Sequence, residues 1–338
     1  MNMLPTIRWG VALFAGGFLA VTSCTQRSTN HARPTSQNDL EPLRKRATAG
    51  SAQDQYDLAE AFFAGVGTET NQTEAGKWYR RAAAGGHTKA QRALGNLHYR
   101  GEGVEKNFTE AFRWWNRASE QGDAIAAHNI AIAYRDGLGQ PANREKYVEW
   151  LRVSAERGDA DSQAELGGLY ETGRSIPKDI SETVKWWRKA AEQGQPRAQA
   201  RLARLYHLGV GVEKNLTESV RLLRAAVDQE EPEALAGLGT LYATGVGVAV
   251  DYEKALVLLS KSAAQGQPLA QLNLGMLYAN GFGVEKDLIE AYKWVSLAAA
   301  QNEGGADQVL QNLAGDLSRA QIEEAKRRSA AVPKPAIH

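Results

Sequence analysis

Residues 272–284 read Leu-Asn-Leu-Gly-Met-Leu-Tyr-Ala-Asn-Gly-Phe-Gly-Val, an apolar run that ends in two glycines one residue apart. The first of the pair, Gly281, has counterparts at Gly245, Gly209, Gly173, Gly137, Gly101 and Gly65, every step being 36 residues. The second, Gly283, recurs at Gly247, Gly211, Gly139, Gly103 and Gly67, with Ser175 as the one exception. A third glycine recurs at Gly86, Gly122, Gly158, Gly194 and Gly266, and Glu230 and Asn302 replace it in the remaining units. Gly50 already falls in that register, ahead of the first unit. Seven units of 36 residues fill Ser51 to Asn302 without an insertion. A fixed period of this length marks a stacked array in which each unit is one supersecondary element.

Each unit reads as two antiparallel helices. In the second, Ala90 to Tyr99 places apolar or small residues at 90, 94, 95 and 97, a helical stripe. Gly101-Glu102-Gly103-Val104 then turns the chain, because glycine accepts positive φ past a helix end. The slot that opens the second helix holds Asn71, Asn107, Asn143, Asp179, Asn215, Asp251 and Asp287, side chains that accept from free N–H groups. Glu74, Glu110, Glu182, Glu218 and Glu290 stand three residues further on, at capping-box spacing. The second helix carries a large residue at Trp78, Trp114, Trp150, Trp186, Leu222, Leu258 and Trp294, expected in the core. Small pairs such as Ala82-Ala83, Ala118-Ser119 and Ala190-Ala191 follow it and let neighbouring helices approach. Pro196, Pro232 and Pro268 sit near the start of a first helix, where a missing N–H costs little.

The flanks and the composition narrow the reading. Forty Lys and Arg stand against 39 Asp and Glu in 338 residues, a balance without the basic footprint that nucleic acid requires. One cysteine excludes an intramolecular disulfide and a multi-cysteine metal site. No two of the six histidines lie three or four apart, so no local histidine metal motif exists, and neither metal nor cofactor is expected. Residues 1–23 have the anatomy of an export signal: Arg8, then the apolar run Trp9 to Val21, too short to span a bilayer comfortably. Val21-Thr22-Ser23-Cys24 closes that run and resembles the lipobox of bacterial lipoproteins. The resemblance implies cleavage before Cys24, acylation of its thiol and new amino terminus, and, with Thr25 rather than Asp next, the outer membrane. Several acyl chains anchor stably where one is marginal. Residues 24–50 are expected to form a flexible polar tether, with Arg44-Lys45-Arg46 a solvated helix entry. Residues 303–338 are expected to hold a capping helix near Gln321 to Ala330 behind an N-cap at Ser318, and a tail.

The pattern A-x-x-x-L-G-x-L-Y-x-x-G-x-G-V-x-x-D/N-x-x-x-A-x-x-W-x-x-x-A-A-x-Q-G resembles Sel-1-like repeats, a branch of the tetratricopeptide superfamily, over about three quarters of the chain. The resemblance implies an all-α, right-handed α-solenoid whose first helices line a concave groove, and binding of partner proteins without catalysis. One helical hairpin cannot bury both faces, so stacking supplies the core.

Sharper motifs yield to plainer readings. The G-x-G-V turns lack the preceding strand of a phosphate cradle. Asn71-Gln72-Thr73, Asn107-Phe108-Thr109 and Asn215-Leu216-Thr217 are formal glycosylation sequons, but each Asn is a helix cap. The tryptophans follow core spacing rather than a carbohydrate platform. Ser175-Ile176-Pro177-Lys178 is the one S-x-x-K, in a turn and without an S-D-N or K-T-G partner, so no catalytic residue is assigned.

A binding face is expected opposite the packing stripe of the first helix. Positions eleven, seven, four and three before the turn glycine form the apolar face; those nine, five and two before it lie opposite. The candidate partner-binding groove is therefore Tyr56, Glu60 and Phe63; Arg92, Asn96 and Tyr99; His128 and Arg135; Glu171; Arg204 and His207. Arg92, Tyr99 and Arg135 are expected to clasp an acidic or peptide segment, with aromatics and arginine concentrated in the first three units. The function read from this is a non-enzymatic scaffold for an unidentified protein or peptide partner, lipid-anchored at the membrane, with the repeats in the periplasm. A component of an exopolysaccharide export or envelope-assembly complex and a surface factor contacting host proteins are alternatives of the same kind; an enzyme of cell-wall or β-lactam chemistry has the least support.

Overall fold

A computed structural model describes residues 37–332. Among the described residues there are seventeen α-helices and no strand, an all-α solenoid as the period implies. The lipidation candidate Cys24 and the signal segment lie outside the described residues. Contacts group the described residues into two compact units, 37–186 and 187–332, the division falling inside one helix.

The N-terminal unit runs α1 (Gln37–Thr48), α2 (Ala52–Ala64), α3 (Gln72–Ala84), α4 (Thr88–Arg100), α5 (Phe108–Glu120), α6 (Ala124–Asp136), α7 (Arg144–Glu156), α8 (Ala160–Thr172) and the start of α9 (Ile180–Glu192). Helices α2 and α3, α4 and α5, and α6 and α7 are hairpins, one to a repeat. The C-terminal unit continues with α10 (Pro196–Leu208), α11 (Leu216–Val227), α12 (Pro232–Thr244), α13 (Tyr252–Ala264), α14 (Pro268–Asn280), α15 (Leu288–Ala299), α16 (Ala306–Asp316) and α17 (Arg319–Ala330).

The turn geometry follows the glycines. Gly101 caps α4 at φ +77° and donates to Leu97 O, the left-handed end that only glycine adopts freely. Gly103 faces a different constraint: a Cβ there would overlap the carbonyl of Gln72, where the turn lies against the start of the preceding repeat's α3. The caps Asn71, Asn107, Asn143, Asn215 and Asp251 each accept from the backbone N–H three residues on, as the spacing predicts.

The capping box expected at these helices does not form. The backbone N–H of Asn71, Asn107, Asp179, Asn215 and Asp287 already donates to a carbonyl of the preceding helix, at 2.8–3.0 Å. The glutamate three residues on therefore has no donor to reach. It turns outward to a cation three further along: Glu74 to Lys77, Glu110 to Arg113, Glu182 to Lys185, Glu218 to Arg221 and Glu290 to Lys293. A reciprocal box closes in α17, between Ser318 and Gln321.

The ends depart from the expected tether and single cap. The last half of the 24–50 segment is α1, with Leu40, Leu43 and Ala47 buried on the first repeat. Leu43 and Ala47 stand 36 residues before Tyr79 and Ala83, so α1 occupies the second-helix register ahead of the first repeat. Gln55 Nε2 donates to Ala47 O just as Gln91 Nε2 donates to Ala83 O. The basic cluster Arg44-Lys45-Arg46 is the exposed end of this helix. At the other end two helices follow the last repeat, not one. Helix α17 is the expected cap, held to α15 by the Arg328–Glu290 ion pair at 2.9 Å and by Ser329 Oγ donating to Lys293 O.

Tryptophans at the predicted core positions are buried at Trp78, Trp114 and Trp186 and half-buried at Trp150 and Trp294. Cations lie over several of their rings, Arg117 at 4.7 Å from the Trp114 centroid and Lys293 at 4.3 Å from that of Trp294.

Candidate partner-binding face

The packing stripe of the first helices is buried as read: in α4 the positions eleven, seven, four and three before Gly101 are Ala90, Leu94, Leu97 and His98, none above 6% exposed. In α2 and α4 the opposite stripe is only half-buried, and its side chains bond to one another and to the next repeat, whereas at the position nine before the turn glycine His128, Ala164, Ala200 and Ala236 are buried. In α2, Glu60 accepts a hydrogen bond from Tyr79 Oη at 2.5 Å, and Tyr56 stacks on His87 with centroids 4.5 Å apart. Burial and the Glu60 charge hold the Tyr56 and Tyr79 hydroxyls well above the usual phenol range, so both stay protonated donors. Phe63 meets the Tyr79 ring edge-on at 6.5 Å.

In α4, Arg92 Nη1 pairs with Asp123 Oδ2 at 2.8 Å; Asp123 is also the cap of α6. Asn96 Oδ1 accepts from Trp115 Nε1 at 2.9 Å and from Asn129 Nδ2 at 3.0 Å. Tyr99 packs between Phe108 and Trp115, with centroids at 5.7 and 5.8 Å. In α6, Arg135 chelates both carboxylate oxygens of Asp136 at 2.8 and 3.1 Å and approaches Glu165 at 3.4 Å, while Glu165 also accepts from Tyr147 Oη. The arginines expected to clasp a partner are already paired within the chain, Arg92 through Nη1 alone and Arg135 through all three of its nitrogens.

His128 lies deeper than a groove residue, at 8% exposed. Its Nδ1 is 2.8 Å from Ser162 Oγ, which donates to Ser154 Oγ, which donates to Ala124 O. Asp159 is 3.8 Å from the same ring nitrogen. The constellation has the residue types of a nucleophile relay, but Ser162 is 0% exposed and its proton is already placed, so no substrate reaches it. Glu171 of α8 is half-buried.

In the C-terminal unit, Arg204 and His207 are half-buried on α10. Burial and the nearby Lys214 push the His207 imidazole below its ordinary pKa. Asn273 Nδ2 donates to Thr240 Oγ1 at 2.7 Å, the same inter-repeat bridge as Asn129 to Asn96. Among the described residues no cluster of three His, Cys, Asp or Glu is placed to hold a metal ion.

Two kinds of position outside the groove stripe also join the repeats. Asn129, Glu165, Arg201 and Asn273, eight before the turn glycine, carry the bridges between repeats. Gln55, Gln91, Gln163, Gln199 and Gln271, ten before it, donate to a carbonyl at the end of the preceding helix at 2.9–3.2 Å. Their recurrence every 36 residues, or a multiple of it, is visible in the sequence and was the available signal.

A Sel1 repeat protein from Oxalobacter formigenes is 29% identical, with a TM-score of 0.57 over 82% of each chain. The protective antigen c5321 of uropathogenic Escherichia coli, which displays an SLR fold, is 25% identical over 87% of this chain and 78% of its own, with a TM-score of 0.43. No curated protein matches the chain. The Sel1 repeat matches seven times in succession, at residues 52–87, 88–123, 124–159, 160–195, 196–230, 232–267 and 268–303. With the whole array accounted for in that way, the chain belongs to the Sel1 repeat family.

Proposed function

We propose that this chain is a non-enzymatic scaffold of the bacterial envelope, held by lipid on Cys24 with its repeats in the periplasm, and that it takes a partner protein on the first-helix face of the N-terminal unit. Sel1 repeat proteins are in general protein-interaction scaffolds, typically without catalysis. The observation that carries the reading is the half-buried aromatic row Tyr56, Phe63 and Tyr99, each ring fixed by a neighbour and still partly open. Rigid aromatics give contact area at low entropic cost. With Arg92 and Arg135 already paired, recognition here rests on shape and ring contact more than on charge.

A photo-crosslinking residue placed at Tyr56, Phe63 or Tyr99 in cells tests the face, against the same residue at Lys77 or Arg113 on the second helices. Adducts from the first set and not the second are expected; adducts only from Lys77 and Arg113 would move the site to the opposite face. Labelled fatty acid entering the wild type but not Cys24→Ala tests the anchor, and equal labelling of both removes it.

A further inference from the structure

Two departures from the 36-residue register meet at one edge of the N-terminal unit. Ser175 stands where the other six units carry glycine, and its φ is +75°, a left-handed backbone that a serine adopts only under constraint. Arg144 opens α7, at a position that the other units fill with Gln72, Phe108, Ile180, Leu216, Tyr252 and Leu288. Arg144 Nε donates to Ser175 Oγ at 2.7 Å. The two exceptions, 31 residues apart, therefore form one feature.

At the neighbouring turn, glycine lies directly on the preceding repeat, and a Cβ on Gly139 would overlap Phe108 O. A serine cannot nest so closely. A depression of about 680 Å³ lies at its place, with Val148, Ile176 and Pro177 as apolar lining and Arg144 and Glu145 at the rim.

The charge of this edge is also exceptional. The turn Gly173-Arg174-Ser175-Ile176-Pro177-Lys178 holds two cations and no acid, and no other turn of the seven has a net positive charge. Among the described residues, the terminal nitrogens of Arg144 and the side chains of Arg174 and Lys178 bond to no acceptor of this chain. Ser175 fixes Arg144 through Nε alone, which leaves the forked end of the guanidinium for a carboxylate.

We propose that this edge docks an acidic, extended segment of a partner protein, its carboxylates meeting Arg144, Arg174 and Lys178 and an apolar side chain entering between Val148, Ile176 and Pro177. The surface lies on the turns rather than on the first-helix face and does not depend on the function proposed for that face.

Fluorescence anisotropy tests it with a labelled peptide of alternating Glu and Leu, a matching Lys and Leu peptide, and phosphatidylglycerol vesicles. The acidic peptide should bind saturably and lose affinity as salt rises, and the basic peptide should not bind. Arg144→Ala/Arg174→Ala/Lys178→Ala should weaken binding about tenfold, the sum of three exposed ion pairs, with an unchanged melting temperature. Ser175→Gly removes the strain and the Arg144 anchor together, so it should hold or raise the melting temperature and still weaken binding. Equal binding by wild type and the triple variant would overturn the proposal, as would absence of saturable peptide binding. Binding of vesicles alone would overturn it in favour of a lipid surface.

Discussion

Two glycines inside helices of the N-terminal unit respond in opposite directions to the same substitution. Gly95 lies in α4, and a Cβ there would fall 2.5 Å from both Cδ1 and Nε1 of Trp115 and 3.1 Å from Ala111 O. The indole is 3% exposed, and its Nε1 bond to Asn96 Oδ1 at 2.9 Å would break if it moved aside. Overpacking of this kind costs roughly 1–3 kcal/mol and the lost hydrogen bond about 1 more. Alanine's better helix propensity returns about 1 kcal/mol. Gly95→Ala should therefore lose about 1–3 kcal/mol net. Gly168 lies in α8 with negative φ and nothing within 4 Å of its would-be Cβ. Gly168→Ala should gain about 0.5–1 kcal/mol, chiefly by restricting the unfolded chain. Thermal denaturation followed by circular dichroism, with Trp fluorescence as a second probe, compares the two; coincidence of the probes checks that one transition is being read, since repeat arrays can melt in parts. A stable Gly95→Ala, or a destabilised Gly168→Ala, would refute the packing argument.

Other perturbations follow from the same contacts. Trp114→Ala removes a 6%-exposed ring from the first core and should cost about 3–5 kcal/mol in denaturant titration. Arg92→Ala should cost about 1 kcal/mol rather than nothing, because it strips the ion pair from a 7%-exposed carboxylate side chain at Asp123; an unchanged melting temperature would show the pair to be idle. Glu231 is raised to about 6, first by burial and then by the Glu233 charge. Its contribution to stability is present below the ordinary carboxylate range and lost as pH rises through 6, so wild type should lose about 1–2 kcal/mol across that window. Glu231→Gln should flatten that loss, and an identical pH profile would show the group to be solvated.

How far the sequence could be read depended on whether a residue obeyed the period. The glycine at 281 and its six counterparts dictate a backbone conformation, and that constraint is visible without knowing any neighbour. The same holds for the caps at Asn71 to Asp287 and for the buried face at Ala90, Leu94 and Leu97. The groove stripe is legible as the face opposite the packing stripe, but the pairing of its side chains is not. Whether Arg92 is free depends on Asp123, 31 residues away, and helical spacing within one repeat cannot see across to the next. Helix α1 is not legible for a related reason: Leu40, Leu43 and Ala47 are too few for a periodic signal, and only Gly50 in register marks a helix end ahead of the first unit.

In a periodic array, a residue that keeps the period is accounted for by the fold, and one that breaks it needs a separate cause. Glu230 and Asn302 break the glycine register and adopt φ of +57° and +59°, within the left-handed range, so asparagine's tolerance or local strain absorbs them. Ser175 at +75° differs because its break is matched by a second one at Arg144 and by a turn with a net positive charge. A bonded pair of breaks and a cationic turn at one edge are harder to ascribe to drift than a single break. A substitution that restores the register, Ser175→Gly, therefore separates the two causes: a break kept only by drift would disappear with a gain in stability and no other consequence, whereas a break kept for binding would show a gain in stability and a loss of affinity together.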